Sequence, residues 1–132
     1  METITAGEIL RDLKGHWPFC HCEIGDPVYF RPTVAELNAQ LKRTDIDKWE
    51  WSRAFDCEKF CAVLRGWLAQ LIVMDGLSLA WPVAEVRGFF KGVSERHAMA
   101  LCWCREGLRF IEPQTDQIRP PDPVDHVMSL WM

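Results

Sequence analysis

Residues 97–114 read HAMALCWCREGLRFIEPQ, and the way this stretch alternates decides the fold. Its first eight residues place His97, Met99, Leu101 and Trp103 on one face of a strand and Ala98, Ala100, Cys102 and Cys104 on the other. One face is bulky and the other small, so Cys102 and Cys104 are expected to pack under a helix. Arg105-Glu106-Gly107 supplies a tight hairpin connection with glycine at its end, after which LRFIEPQ returns as the next strand. Opposed residues of an antiparallel hairpin share a face, so two registers matter. If residue 102 opposes 107, His97 faces Glu112. If 104 opposes 107, His97 faces Gln114 and Glu112 sits one diagonal step away. Both put a carboxylate within reach of the imidazole.

Upstream, RAFDCEKFCAVLRGWL (Arg53–Leu68) opens a helix expected from about Asp56 to Met74, with Phe60, Leu64, Leu68 and Leu71 on one stripe and Gly76 as its stop. Cys57 falls at the start of this helix, with Cys61 one turn on. Nearer the N-terminus, Thr5 with Glu8 and Thr33 with Glu36 form capping boxes that begin two further helices, the first ending at Gly15. Between them HWPFCHCEIGDPVYFRP reads as irregular chain, with PVYF as a short strand. Beyond Gly76 the runs LSLAWPVAEVRGFF, RHAMALCWC, GLRFIEPQT and DQIRP are of strand type. RPPDPVD is a proline-rich break, and HVMSLWM is apolar enough to dock back as a short helix or an edge strand. The expected class is therefore α+β: N-terminal helices, then a central helix packed on a small antiparallel sheet.

A chain of 132 residues with 48% hydrophobic content suits a single domain with its own core. The organisation expected is a helical N-terminal subregion (1–44), a core (45–118) and a C-terminal tail (119–132). A net charge of -4 with scattered basic residues offers no footprint for nucleic acid or an anionic membrane. No apolar segment is long enough to span a bilayer, so a cytoplasmic protein is expected. Its six cysteines are expected to be free thiols. Cys20-His21-Cys22 and Cys102-Trp103-Cys104 offer four thiolates for a structural zinc if the segments meet. However, C-x-C lacks the usual two-residue spacing, and no metal is expected. His16 and His126 have no partners in sequence and are expected at the surface.

Cys57 can be a small buried hydrophobe, a metal ligand or a nucleophile. A helix N-terminus favours the thiolate, the reactive form of cysteine. His97 at a strand end is the candidate base, and Glu112 on the neighbouring strand is the candidate partner that fixes its tautomer. Gln114 is a further polar neighbour, the amides of Cys57 or Glu58 are candidate oxyanion donors, and Trp49 or Trp51 is a candidate wall of the cleft. Each also has a plain structural reading: packing for the cysteines, and a half-buried histidine satisfied by Glu112.

The motifs FDCEKF, RHAMAL and FIEPQT, in this order and spacing, resemble the papain-like cysteine-protease domain of the mushroom agglutinin (MOA) type and its small bacterial and phage relatives. The similarity runs from about Asp45 to Ile118. It implies a papain-like or NlpC-like core, with Cys57 as nucleophile, His97 as base, Glu112 as third member and Gln114 beside them. The function expected from it is a cysteine hydrolase, peptidase or amidase, acting on a peptide or protein. The alternative is an inactive domain of the same fold serving as a phage or bacterial accessory module that binds a host protein. The resemblance also brings calcium into question, but the sequence has no matching acidic cluster and no cofactor is expected.

Overall fold

The computed structural model describes residues 1–52 and 56–132; Arg53, Ala54 and Phe55, which open the quoted helix motif, lie outside the described residues. In chain order the elements are Thr3–Thr5 (β1), Ala6–His16 (α1), His21–Glu23 (β2), Val28–Phe30 (β3), Val34–Arg43 (α2), a 3-10 turn at Ile46–Lys48 and Cys57–Met74 (α3). Val83–Phe89 (β4), His97–Cys104 (β5), Gly107–Glu112 (β6), Gln117–Arg119 (β7) and His126–Trp131 (β8) complete the chain.

The helices begin where the hydroxyl caps predict. Thr5 Oγ1 accepts the Glu8 amide at 3.2 Å while the Glu8 carboxylate accepts the Thr5 amide at 2.8 Å. Thr33 and Glu36 repeat the exchange at 3.0 and 2.9 Å. α1 continues one residue past Gly15 because the buried Trp17 donates its amide to Leu13 O. α3 is capped by Asp56, which also pairs with Lys59 at 3.3 Å, and Gly76 follows its C-terminus at φ 64. Its stripe is buried as expected, with Phe60, Leu64, Leu68 and Leu71 each at most 2% exposed.

The main sheet has the order β2-β8-β4-β5-β6-β7, and β1 pairs separately with β3. The α+β class holds, but the sheet is mixed rather than antiparallel, because β2 runs parallel to β8. The C-terminal segment is neither a helix nor an edge. It is an inner strand between β2 and β4. A bulge explains the ambiguity: Arg87 opposes Ser129 and Gly88 opposes Val127, so Met128 is left over. Val127 and Leu130, three apart, therefore both enter the same core, a spacing that in sequence imitates a helix.

β5 is buried on both faces. Met99, Leu101 and Trp103 join Ile9 and Leu13 of α1, Tyr29 of β3 and Phe110 of β6 in one apolar cluster. Ala100, Cys102 and Cys104 lie in a second, with Leu37 and Leu41 of α2 and Leu64 and Leu68 of α3. The small face is what allows the helices to approach. The turn before β8 is fastened by Asp125, whose fully buried carboxylate accepts two 2.8 Å bonds from Arg119 and the amides of Lys91 and Asp122. Desolvation pushes this carboxyl up, yet these donors outweigh it and hold it below the ordinary carboxylate range.

Gly88 stands at the bulge with the His126 carbonyl oxygen only 1.9 Å from where a Cβ would lie. A side chain there must part β4 from β8. Gly88→Ala is expected to cost on the order of 3 kcal/mol of stability, read from urea unfolding; an unchanged midpoint would show that the two strands yield freely.

Candidate functional site

The first turn of α3 and the first residue of β5 meet at one small cavity. Cys57, half-buried at the helix start, lines it together with Glu58, Arg87, Arg96, His97 and Ala98, and its volume is about 190 Å³. His97 opposes Gly88 of β4, and the Phe90 ring meets its imidazole edge-on at 6.3 Å. Across the hairpin Cys104 opposes Gly107, so the second of the two anticipated registers holds. Carried on, it sets Glu112 opposite Met99, one diagonal step from His97. His97 Nε2 and Glu112 Oε2 lie 2.6 Å apart, and both side chains are less than a fifth exposed. With the shared hydrogen on Nε2, Nδ1 is left as the acceptor of a neutral ring.

Gln114 is not on the strand. It follows Glu112 in the turn before β7, and its main-chain N–H donates to Glu112 Oε1 at 3.3 Å. Trp49 lines a different cavity, beside Ile46, Val63 and Trp67, and Trp51 is exposed. Cys61 is fully buried; desolvation pushes its thiol well up, and the charges of Glu85, Glu112 and Cys57 add to this. It packs rather than reacts. His16 and His126 are exposed.

The two C-x-C pairs do not meet. β8 and β4 separate β2 from β5, roughly 14 Å across at the usual strand spacing, and the register sets Cys22 in line with Met99, so Cys102 lies further away still. Cys102 and Cys104 approach each other to 3.8 Å under the helices, where desolvation raises the Cys102 thiol. Among the described residues no group of three or more His, Cys, Asp or Glu side chains is placed to hold a metal ion, so no residue is assigned to zinc or calcium.

Sequence reasoning missed Arg87 and Glu85. Arg87 bonds Glu85 at 3.1 Å and Glu58 at 3.3 Å and covers the Trp131 ring, tying β4 and β8 to the start of α3. The signal was present in VAEVRGF: opposite charges two apart on a strand share a face.

No family model matches the sequence, and no curated protein matches it. Solved structures do. PSL1a in complex with E64 aligns with a TM-score of 0.84 at 17% identity, covering 98% of this chain and 50% of its own. Polyporus squamosus lectin, bound to the human-type influenza-binding epitope Neu5Acα2-6Galβ1-4GlcNAc, aligns at 0.81 and 18%, covering 98% of this chain and 49% of its own.

The fold is of the mushroom-agglutinin type.

At these identities the likeness shows the fold alone, and the chain spans about half the length of the structures it matches. The neighbours are lectins, and this overturns the expectation of a cysteine hydrolase, whether peptidase or amidase, and with it the protease triad. A cavity of about 190 Å³, walled by an Arg87–Glu58 ion pair, is also small beside the roughly 300–1,000 Å³ usual for ligand sites. A peptide substrate finds no support, nor does the tie to bacterial or phage proteins and their accessory modules. Among the described residues no helix is long and apolar enough to cross a membrane.

Beyond Gln114, Asp116 sits in the same turn at φ 59, its carboxyl pushed up to about 6 by burial and by the charge of Asp47. The folded chain therefore keeps this proton to a higher pH than the unfolded chain, whose carboxyl has the ordinary 3.8. Asp116 favours folding most below pH 4, and that contribution is lost as pH rises towards 6. In Asp116→Asn, which tolerates the left-handed backbone, stability in denaturant is expected to fall less between pH 4 and 6 than in the parent. Parallel pH curves for the two proteins would rule this out.

Proposed function

We propose that the chain is a carbohydrate-binding domain of lectin type, which holds its ligand by non-covalent contacts. The observation that carries this reading is the fold match over 98% of the chain to a lectin solved with a sialylated trisaccharide. That protein is twice as long, so glycan recognition by this half is what the proposal adds. One concave site of about 390 Å³ along α3, walled by Trp49 and Trp67 and by polar groups, supports it. Residues 1–132 act as one domain in this reading. The helix that opens on a cysteine against a sheet is then a papain-like architecture put to a different use. Titration of the purified chain with Neu5Acα2-6Galβ1-4GlcNAc and with Galβ1-4GlcNAc in a calorimeter is expected to show saturable binding, with Kd of about 10 μM to 1 mM. No heat and no amide shift in NMR with either sugar would remove the reading.

A second reading concerns Cys57 alone and implies no hydrolytic turnover. It is favoured by the thiol and the His97–Glu112 pair at one cavity, and by the E64 held by a structural neighbour. Here Cys57 is the nucleophile, His97 its base, Glu112 the partner of the imidazolium, and Gln114 a main-chain donor to Glu112. With an epoxide such as E64, the thiolate sulfur bonds to a ring carbon, the carbon–oxygen bond opens, and the alkoxide takes the proton from His97. Intact mass spectrometry is expected to find one adduct, absent in Cys57→Ala and slowed about a hundredfold in His97→Ala. An adduct that survives Cys57→Ala would place the reactive thiol elsewhere.

A further inference from the structure

The apolar stripe that seats α3 on the sheet begins at Phe60, so core packing carries the helix to the sheet but leaves residues 56–59 without a buried apolar side chain of their own. The cap of this turn is loose. The Lys59 amide reaches Asp56 Oδ1 only at 3.5 Å, and the Lys59 ammonium stays on the same carboxylate. Helix ends held in this way fray, yet this is the turn that carries Cys57.

A guanidinium ties it down. On β4, Glu85 and Arg87 share the face that looks towards α3, opposite Ala100 and Ala98 of β5, whose small side chains leave room for them. Arg87 gives Nε and Nη2 to Glu85 Oε2 at 3.3 and 3.1 Å, and its Nη1 lies 3.3 Å from Glu58 Oε1. The Trp131 ring of β8 lies under the guanidinium, 5.0 Å to the ring centre. An exposed ion pair standing alone contributes little. Here the Glu85 carboxylate, 11% exposed, and the indole hold the fork in place, and Glu58, 42% exposed, docks on a fixed partner.

The same strand also places the imidazole. Gly88 opposes His97, and Arg87, one residue before it, opposes Ala98. One step along β4 therefore sets both the position of His97 and the anchor of the turn that bears the thiol. Cys57, Glu58, Arg87, His97 and Ala98 all line one cavity.

We infer that Arg87 is a positioning residue, which through Glu58 holds the Cys57 thiol within reach of His97. The assignment rests on the reading of Cys57 as a nucleophile with His97 as its base, and it adds a residue that touches neither the reagent nor the transferred proton. The step it serves is the one in which the thiolate sulfur bonds to an epoxide carbon, the ring carbon–oxygen bond opens and the alkoxide takes the proton from the imidazolium.

The test follows E64 adduct formation by intact mass spectrometry in the parent chain, Arg87→Gln and Glu58→Gln, and in each of these combined with His97→Ala. Both single variants are expected to react about tenfold more slowly, and Glu58→Gln, which cuts the contact at a half-exposed residue, to keep the parent's thermal midpoint. Coupling is the deciding readout. In the parent, His97→Ala is expected to slow the reaction about a hundredfold. With the thiol out of place the imidazole has less to give, so in Arg87→Gln and Glu58→Gln the same change is expected to slow it only about tenfold further. An Arg87 that merely stabilised the fold would lower the thermal midpoint and leave the full hundredfold in every background. Where Arg87→Gln fails to fold, Glu58→Gln decides alone. Parent-like rates in the folded single variants, or an undiminished effect of His97→Ala in them, overturn the assignment while Cys57 stays the nucleophile. If the parent itself forms no adduct at Cys57, the assignment falls together with the reading on which it rests.

Discussion

Because β5 delivers its side chains into two separate apolar clusters, neither α3 nor α1 can shift without exposing one side of the strand. Antiparallel sheets more often leave one face to water. Here the bulky face closes over α1 and the β1–β3 pair, and the face of Ala100, Cys102 and Cys104 receives α2 and α3. A buried leucine or phenylalanine contributes about 1.5–3 kcal/mol by removal from water. Leu64, Leu68 and Leu71 together therefore outweigh any single polar contact in setting where α3 lies. The helix start and the first residue of β5 are consequently brought together by core packing. The polar groups at Cys57 and His97 do not have to organise themselves.

Two ion pairs are then held at the same end of the sheet, near the end of β4, under different electrostatic terms. Arg119 and Asp125 form a bidentate pair whose carboxylate also takes two main-chain amides, so every lone pair has a donor and the cost of burial is met. The His97–Glu112 pair is shorter of donors: Glu112 receives the imidazole and one long main-chain bond from Gln114. A pair satisfied so sparingly is responsive to its surroundings, whereas the Arg119–Asp125 pair is a clamp. Trp17 adds to the clamp by donating its indole N–H to the Asp125 carbonyl.

What was legible in the sequence was local. Hydroxyl caps, the α3 stripe and the parity of the β5–β6 hairpin depend on residues within a few positions of one another or across one turn, and each appears as read. The pairing of His97 with Glu112 followed from parity alone. The parallel union of β2 with β8 was not legible, since it joins segments about a hundred residues apart with no connection to constrain them. Nor was the inner place of β8, because the bulge at Met128 breaks the two-residue period by which strands are recognised. Use was the least legible of all. A thiol, an imidazole and a carboxylate in the right order belong to an architecture, and an architecture of one kind hosts unrelated functions. The Arg87 ion pairs and the small volume at Cys57 are three-dimensional features to which those motifs give no access.

α3 presents three distinct surfaces, and their separation decides how the sites relate. One stripe is spent on the sheet, the N-terminal end carries Cys57, and the flank carries Gly66 and Trp67. Ten residues at 1.5 Å each put Trp67 about 15 Å along the axis from Cys57, so the two cavities cannot share one small ligand. Both nevertheless depend on the same seating of α3 against Ala100 and Cys102. A substitution that thickens this small face lifts the helix and disturbs both cavities at once, while one on the flank reaches only the indole cleft. Stability loss and loss of a single site are therefore separable by position along one helix.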